Sequence, residues 1–149
     1  MTPLWINAYI SAIANGGTLW KPHVAERTVD DARRTLSVFP TIELGTLPFS
    51  ASVIGTMQAA MRTTVTSGTA KLLQNVPVPV AAKTGTAEVI KGSRINSLVT
   101  AYAPANDPQI AITVLIEGSA SNQGYALRVT DMFLQWYFSR GTLSANSHP

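Results

Sequence analysis

Three β-prone runs stand close together in the second half of the chain: Val78 to Val89, Ser97 to Ala103 and Gln109 to Glu117. Only short turn-forming segments join them. Ile90 to Asn96 contains Lys91-Gly92-Ser93, and Pro104 to Pro108 contains Asn106-Asp107-Pro108. Links this short make hairpins, whereas two parallel neighbours need a crossover of roughly a dozen residues or more. The runs therefore predict an antiparallel meander, and the rest of the chain has to cover its faces.

Helical patterns supply that cover. Thr2-Pro3 reads as an N-cap followed by proline at the first helical position, and Leu4, Trp5, Ala8, Tyr9, Ala12 and Ile13 recur at helical spacing. Asn15-Gly16-Gly17 ends that helix, since these residues accept the left-handed conformation. Ser50 or Ser52 caps a second helix, with Val53, Met57, Ala60, Met61 and Val65 on one face. Thr69 to Leu73 forms a further helical turn. A last helix runs from Gly124 to Ser139, with Leu127, Thr130, Phe133, Leu134 and Tyr137 on its apolar side. Between residues 18 and 49 the pattern is irregular, with a short hairpin of Val24 to Thr28 against Thr35 to Ile42. Pro40 argues against a central strand there. Helices, then a meander, then a helix give an α+β domain over residues 1–140, an antiparallel sheet flanked by helices. Residues 141–149 form a polar tail, expected to be mobile.

The composition removes several function classes. A hydrophobic fraction of 46% and a charged fraction of 13% build a core rather than a disordered chain. The net charge is +3, yet Arg33-Arg34 is the only adjacent basic pair and sits beside Asp30-Asp31, so no stripe for a nucleic acid is present. Without cysteine there is no disulfide, thiolate metal site or Cys nucleophile. His23 and His148 have no serine and carboxylate at a suggestive spacing, and no His/Asp/Glu cluster points to a metal. No cofactor is expected. Gly68-Thr69-Ala70-Lys71 lacks the phosphate-loop spacing. Trp5, Trp20 and Trp136 read as packing residues. The longest strongly apolar run, Ile110 to Ile116, is too short to cross a bilayer. Met1-Thr2-Pro3 does not open a signal peptide, so an exporting or anchoring segment would lie outside this sequence.

One tetrapeptide carries chemistry. Lys83-Thr84-Gly85-Thr86 interrupts an otherwise apolar strand. In a strand Thr84 and Thr86 share one side, while Lys83 and Gly85 share the other. Glycine inside a strand marks a place where something approaches the backbone closely. A cation, two hydroxyls and an open strand edge make a receptor for the carboxylate of a peptide-like ligand lying alongside. The plainer reading is an edge strand that uses a lysine to discourage aggregation.

The order of motifs along the chain resembles the class B penicillin-binding proteins, which are monofunctional cell-wall transpeptidases. Lys-Thr-Gly is among the signatures of that broad group. The resemblance begins at Thr2-Pro3 through Ala14-Asn15-Gly16-Gly17, with Lys21-Pro22 after it. It continues through Met61, Val65 and Gly68-Thr69-Ala70 to Ala82-Lys83-Thr84-Gly85-Thr86-Ala87-Glu88. Tyr102-Ala103-Pro104, the strand from Pro108 to Glu117 and the final helix complete it, over about residues 2 to 138. One departure is Asn96-Ser97-Leu98-Val99-Thr100-Ala101-Tyr102-Ala103-Pro104, where the family commonly carries an aromatic pair after Asn-His. The wall behind the site is therefore expected to be shaped differently.

The resemblance implies a partial β-lactamase/transpeptidase-like fold and serine acyl transfer on peptidoglycan stem peptides, with β-lactams as mimics. It implies that Lys83 supplies positive charge, and that Thr84 and Thr86 hold the ligand carboxylate. The Thr86 amide would supply half of an oxyanion hole, and Gly85 would leave room for the ligand. Family members use Ser-x-x-Lys, Ser-x-Asn and Lys-Thr-Gly in that order. No serine here has a lysine three residues on, and the only Ser-x-Asn is Ser144-Ala145-Asn146, after the Lys-Thr-Gly. The chain is thus expected to begin past the second motif and to be inactive alone. Its parent is expected to act outside the cytoplasm, anchored by a segment not in this chain. In the family the strand matching Gln109 to Glu117 pairs with strands that precede the catalytic serine, so here it is expected to keep one edge open and to promote self-association. Two alternatives stand beside this reading: a β-lactam sensor or β-lactamase fragment, and a non-catalytic binding or scaffold module.

Overall fold

The computed structural model describes residues 2–90, 94–120 and 124–144. The elements in chain order are α1 (Pro3–Ala14), β1 (Thr18–Trp20), β2 (Arg27–Val29), β3 (Thr35–Val38), β4 (Glu43–Thr46), α2 (Ala51–Thr66), a 3₁₀ turn (Lys71–Asn75), β5 (Ala81–Ile90), β6 (Arg94–Ala103), β7 (Ile110–Ser119) and α3 (Tyr125–Ser144).

The expected meander is the centre of the molecule. Strands β5, β6 and β7 pair antiparallel in that order, with Lys83 opposite Thr100, Thr84 opposite Val99, Gly85 opposite Leu98 and Thr86 opposite Ser97. Strand β5 starts later than the expected run, at Ala81 rather than Val78, while β6 begins earlier, at Arg94, and β7 extends to Ser119, because pairing continues toward the turn. Lys91-Gly92-Ser93 lies outside the described residues.

Strand alternation splits the core in two. On one face Ala81 and Tyr102 pack with Ile10, Ile13 and Met61 from α1 and α2. On the other, Ala82, Ala101 and Ala103 pack with Val65, Leu73, Val80 and Leu134, bringing in α2, the 3₁₀ turn and α3. The small alanines in the sheet let the helices approach closely, and the larger chains of the helices fill the layers.

Local chemistry fixes the helix ends. The Thr2 hydroxyl accepts from the Trp5 amide at 3.4 Å, with proline in the first turn, as the sequence predicts. Asn15 Oδ1 accepts from the amides of Gly17 at 3.2 Å and Thr18 at 2.9 Å, while Gly16 takes a φ of 89°. Gln58 Nε2 on α2 donates to the Ile13 carbonyl at 2.7 Å, a second and shorter bond to an acceptor at the end of α1 that also takes the Gly16 amide at 3.4 Å, and this ties the two helices together. Ser50, not Ser52, caps α2 through the Val53 amide at 3.3 Å.

Several expectations need correction. The buried stripe of α2 is Ile54, Met61 and Val65; Val53 and Ala60 are exposed. The last helix runs to Ser144, beyond the expected end at Ser139, so the first residues assigned to the tail are helical. Residues 145–149 lie outside the described residues. On α3, Ala126, Thr130 and Leu134 face the core, whereas Phe133 and Tyr137 are exposed and stack on each other with centroids 6.2 Å apart. Trp5, Trp20 and Trp136 are 46%, 41% and 49% exposed, so none is a core residue; Trp136 carries the Arg140 guanidinium over its ring. The irregular stretch holds two strand pairs. β2 pairs β3 as expected, though over fewer residues, and β1 pairs β4, which sequence reasoning missed.

Candidate functional site

The tetrapeptide lies on β5, an outer strand of the sheet. Among the described residues no strand pairs with the far side of β5. Helix α2 and the loop after it run beside its first half. Arg62 on α2 donates to the Val80 carbonyl at 2.8 Å, which fixes where the strand begins.

Alternation then orients the side chains. Ala81 belongs to the α1 face and Ala82 to the α3 face, so Lys83 and Gly85 lie on the α1 side while Thr84 and Thr86 lie on the α3 side. The structure thus brings all four candidate residues to one strand next to open space. Lys83 is exposed, and its ammonium donates to the Thr84 carbonyl. Thr84 and Thr86 line a cleft of about 190 Å³, closed by Thr69, Ser97, Gly124 and Leu127. At ~30 Å³ per water, this is room for about six waters, ample for a carboxylate and its neighbours. On the opposite side Gly85 also lines an apolar cleft of about 320 Å³, walled by Pro3, Ile6, Leu98 and Leu115. Gly85, Thr86 and Leu98 border both spaces. A Cβ built at Gly85 would meet Leu98 Cβ at 3.6 Å, an ordinary contact. The sheet itself therefore does not demand glycine at this position.

Leu98 occupies the wall where the family pattern has an aromatic pair. It contacts the Gly85 position directly and lines both clefts.

Sequence reasoning missed Thr69. It was visible only as part of Gly68-Thr69-Ala70, with no role attached. Its Oγ1 lies 2.7 Å from Thr84 Oγ1, so the two hydroxyls form one hydrogen-bonded pair at the mouth of the cleft. The signal that could have found it is position: a threonine in the tight loop between α2 and the strand that carries the motif. Elsewhere, His23 Nδ1 faces the Ala25 carbonyl at 2.8 Å in an exposed loop.

Chemically, the arrangement offers a cation, two threonine hydroxyls on one side of a strand, a third hydroxyl behind them and a gap at glycine. Such a set binds an anion and orients an extended ligand. It contains no nucleophile–base pair.

Comparison with known proteins bears on the family and the fold. The family model for the penicillin binding protein transpeptidase domain matches residues 1–134. Penicillin-binding protein 2A of Bacillus subtilis is 35% identical over 131 residues, covering 77% of this chain and 18% of that protein. Peptidoglycan D,D-transpeptidase MrdA of Escherichia coli is 27% identical over 139 residues, covering 80% of this chain and 22% of that protein. The chain thus spans about a fifth of the length of these relatives. Among solved structures, the D,D-transpeptidase domain from Eggerthella lenta superposes with a TM-score of 0.81 at 22% identity, covering 95% of this chain and 33% of that one. The imipenem acyl-enzyme complex of penicillin-binding protein A from M. tuberculosis superposes with a TM-score of 0.69 at 26% identity, covering 89% of this chain and 31% of that one.

Proposed function

This chain belongs to the penicillin-binding protein transpeptidase domain family, and on that premise we propose that it is the carboxylate-recognition portion of a peptidoglycan D,D-transpeptidase. The observation that carries this reading is the placement of Lys83-Thr84-Gly85-Thr86 on an outer strand, with the side chains of both threonines lining one cleft. The ligand is a stem peptide ending in D-Ala–D-Ala, or a β-lactam that mimics it. It lies along β5 with its carboxylate at the hydroxyls of Thr84 and Thr86. Lys83 contributes positive charge on the other side of the strand. Gly85 lets the ligand come close to the backbone.

In the complete reaction a serine attacks the carbonyl of the D-Ala–D-Ala bond, D-alanine leaves, and the acyl group passes to an amine of a neighbouring stem peptide. The Thr86 amide supplies one of two donors to the developing oxyanion. Losing one such donor costs ~10²–10³ in rate. The serine itself belongs to Ser-x-x-Lys, which is absent from this sequence. The chain alone therefore recognises ligand without forming the acyl-enzyme. Peptidoglycan lies outside the cytoplasmic membrane, so the working site faces that side. No helix among the described residues is long and apolar enough to cross a membrane.

The test is an amide chemical-shift titration of the labelled chain with benzylpenicillin. Shifts should concentrate at Lys83 to Ala87 and Thr69. Shifts centred elsewhere, or a response unchanged when the methyl ester replaces the acid, would remove the carboxylate reading.

The other end of the sheet supports a second proposal, self-association. The outer edge of β7 has no strand partner among the described residues, and Ile110 to Ile116 carries no charge. Two copies pairing antiparallel edge to edge would extend the sheet across a two-fold axis, with Glu117 of each opposite Ile110 of the other and no like charges facing. Sedimentation at micromolar concentration should show a dimer. A monomer at all concentrations would show that this edge is harmless as it stands.

A further inference from the structure

Thr69 lines the cleft and touches the Thr84 hydroxyl, and the proposed chemistry assigns it nothing. We propose that it is a positioning residue: it holds the Thr84 hydroxyl so that its proton faces the ligand carboxylate. The inference rests on the carboxylate reading above and adds a residue to it.

A threonine hydroxyl has one proton to give and two lone pairs to accept with. The Thr69 and Thr84 hydroxyls lie 2.7 Å apart, and either can donate. If Thr84 gives its proton to Thr69, it has only lone pairs left for the cleft, and these repel a carboxylate. If Thr69 gives its proton to Thr84, the Thr84 proton is free to point at the ligand. An anion in the cleft selects the second arrangement, and a hydroxyl that is already accepting becomes a stronger donor. Thr69 thus turns Thr84 from an ambiguous hydroxyl into an oriented donor.

This requires Thr69 to be held still, and the loop is built to do so. Gly68 lies so near the preceding turn that a Cβ there would stand 2.8 Å from Thr64 Cα and 2.9 Å from its carbonyl oxygen. The Gly68 amide donates to the Thr63 carbonyl and the Ala70 amide to the Thr64 carbonyl, each at 3.0 Å. Gln74 Nε2 reaches back to the carbonyls of Val65 at 2.8 Å and Thr66 at 3.1 Å. Ala70 and Leu73 are fully buried on either side of this clamp. The anchoring continues into the core cluster that also holds Ala82, two residues before Thr84. The two hydroxyls are therefore fixed from one rigid body.

The test uses the full chain with Thr69→Val, which keeps the shape and removes the hydroxyl, and Thr69→Ser, which keeps the hydroxyl. Because Thr69 is exposed, neither change threatens the fold. Two readouts separate positioning from a structural role. The first needs no ligand: the χ1 rotamer of Thr84, followed by three-bond couplings to its methyl carbon. It should be single in the unmodified chain and in Thr69→Ser, and averaged in Thr69→Val. The second is affinity for benzylpenicillin against its methyl ester. Thr69→Val should weaken the acid by about 3- to 10-fold, the range of one lost neutral hydrogen bond, and leave the ester unchanged. A single Thr84 rotamer in Thr69→Val would overturn the inference, as would equal weakening of acid and ester. If the unmodified chain bound neither compound, the carboxylate reading would fall and this inference with it. The rotamer measurement would still show whether the hydroxyl pair exists, which separates the two failures.

Discussion

Replacing Gly85 by alanine separates fold from function at a single methyl group. Glycine in a strand interior is less stable than alanine by roughly 0.5–1 kcal/mol, because the unfolded glycine has more freedom to lose. At most sites that preference is cancelled by a clash or by a left-handed backbone. At Gly85 neither applies. The added Cβ would lie 3.6 Å from Leu98 Cβ, 3.8 Å from Leu98 Cδ2 and 3.9 Å from the Leu98 carbonyl oxygen, all ordinary contacts, and the backbone is extended. Gly85→Ala should therefore stabilise the chain by about 0.4–1 kcal/mol, which is a rise of roughly 1–4 °C in Tm for a domain of this size. The same methyl narrows the space beside the strand and should weaken benzylpenicillin by about tenfold or more, roughly 1.4 kcal/mol. Thermal unfolding followed by circular dichroism reads the first effect, and the amide titration reads the second. A variant destabilised by more than about 2 kcal/mol would mean that glycine serves the sheet and not the ligand. A variant with unchanged affinity would mean that the ligand does not approach here.

Gly68 should behave in the opposite way: a Cβ 2.8 Å from Thr64 Cα forces the backbone to move, so Gly68→Ala should cost about 1–3 kcal/mol in chemical denaturation. Lys83→Ala should change stability by less than about 0.5 kcal/mol, because the side chain is exposed, yet lower affinity for the acid more than for the ester in the same titration. The Tyr102 hydroxyl is buried with no hydrogen-bond partner among the described residues, and desolvation raises its pKa above the usual value. The unfolded chain then ionises first, so this contribution is intact below pH of about 10 and is lost as pH rises further. Tyr102→Phe should be neutral or stabilising at pH 7 and should show a shallower decline above pH 10 than the parent chain, measured by denaturant titration at each pH.

The sheet was legible because its evidence is local: β-prone runs, short links and turn residues at Asn106-Asp107-Pro108 leave one economical topology. The caps at Thr2, Asn15 and Ser50 were legible for the same reason. The β1–β4 pair was not, because Thr18–Trp20 is too short for any periodicity and Glu43–Thr46 contains a glycine. The buried stripes of α2 and α3 were displaced because both helices carry apolar residues on more than one face. Ile54 is buried where Val53 was expected, and Val129, Met132, Phe133 and Trp136 form a second, exposed apolar face on α3. Hydrophobic spacing cannot choose between two such faces without knowing which one the sheet meets. At the site, alternation along the strand placed Lys83, Thr84, Gly85 and Thr86 on their sides in advance. Thr69 could not be placed, since its partner Thr84 is fifteen residues away in sequence and the contact depends on how α2 meets β5.

Mass spectrometry of the chain after incubation with benzylpenicillin tests the central claim, a ligand site without a nucleophile, most directly. Under native conditions a complex of one chain with one drug molecule should appear, and on denaturation the mass should return to that of the chain alone. A drug adduct that survives denaturation would show that a nucleophile is present after all, and absence of the complex under both conditions would show that β5 does not carry the site.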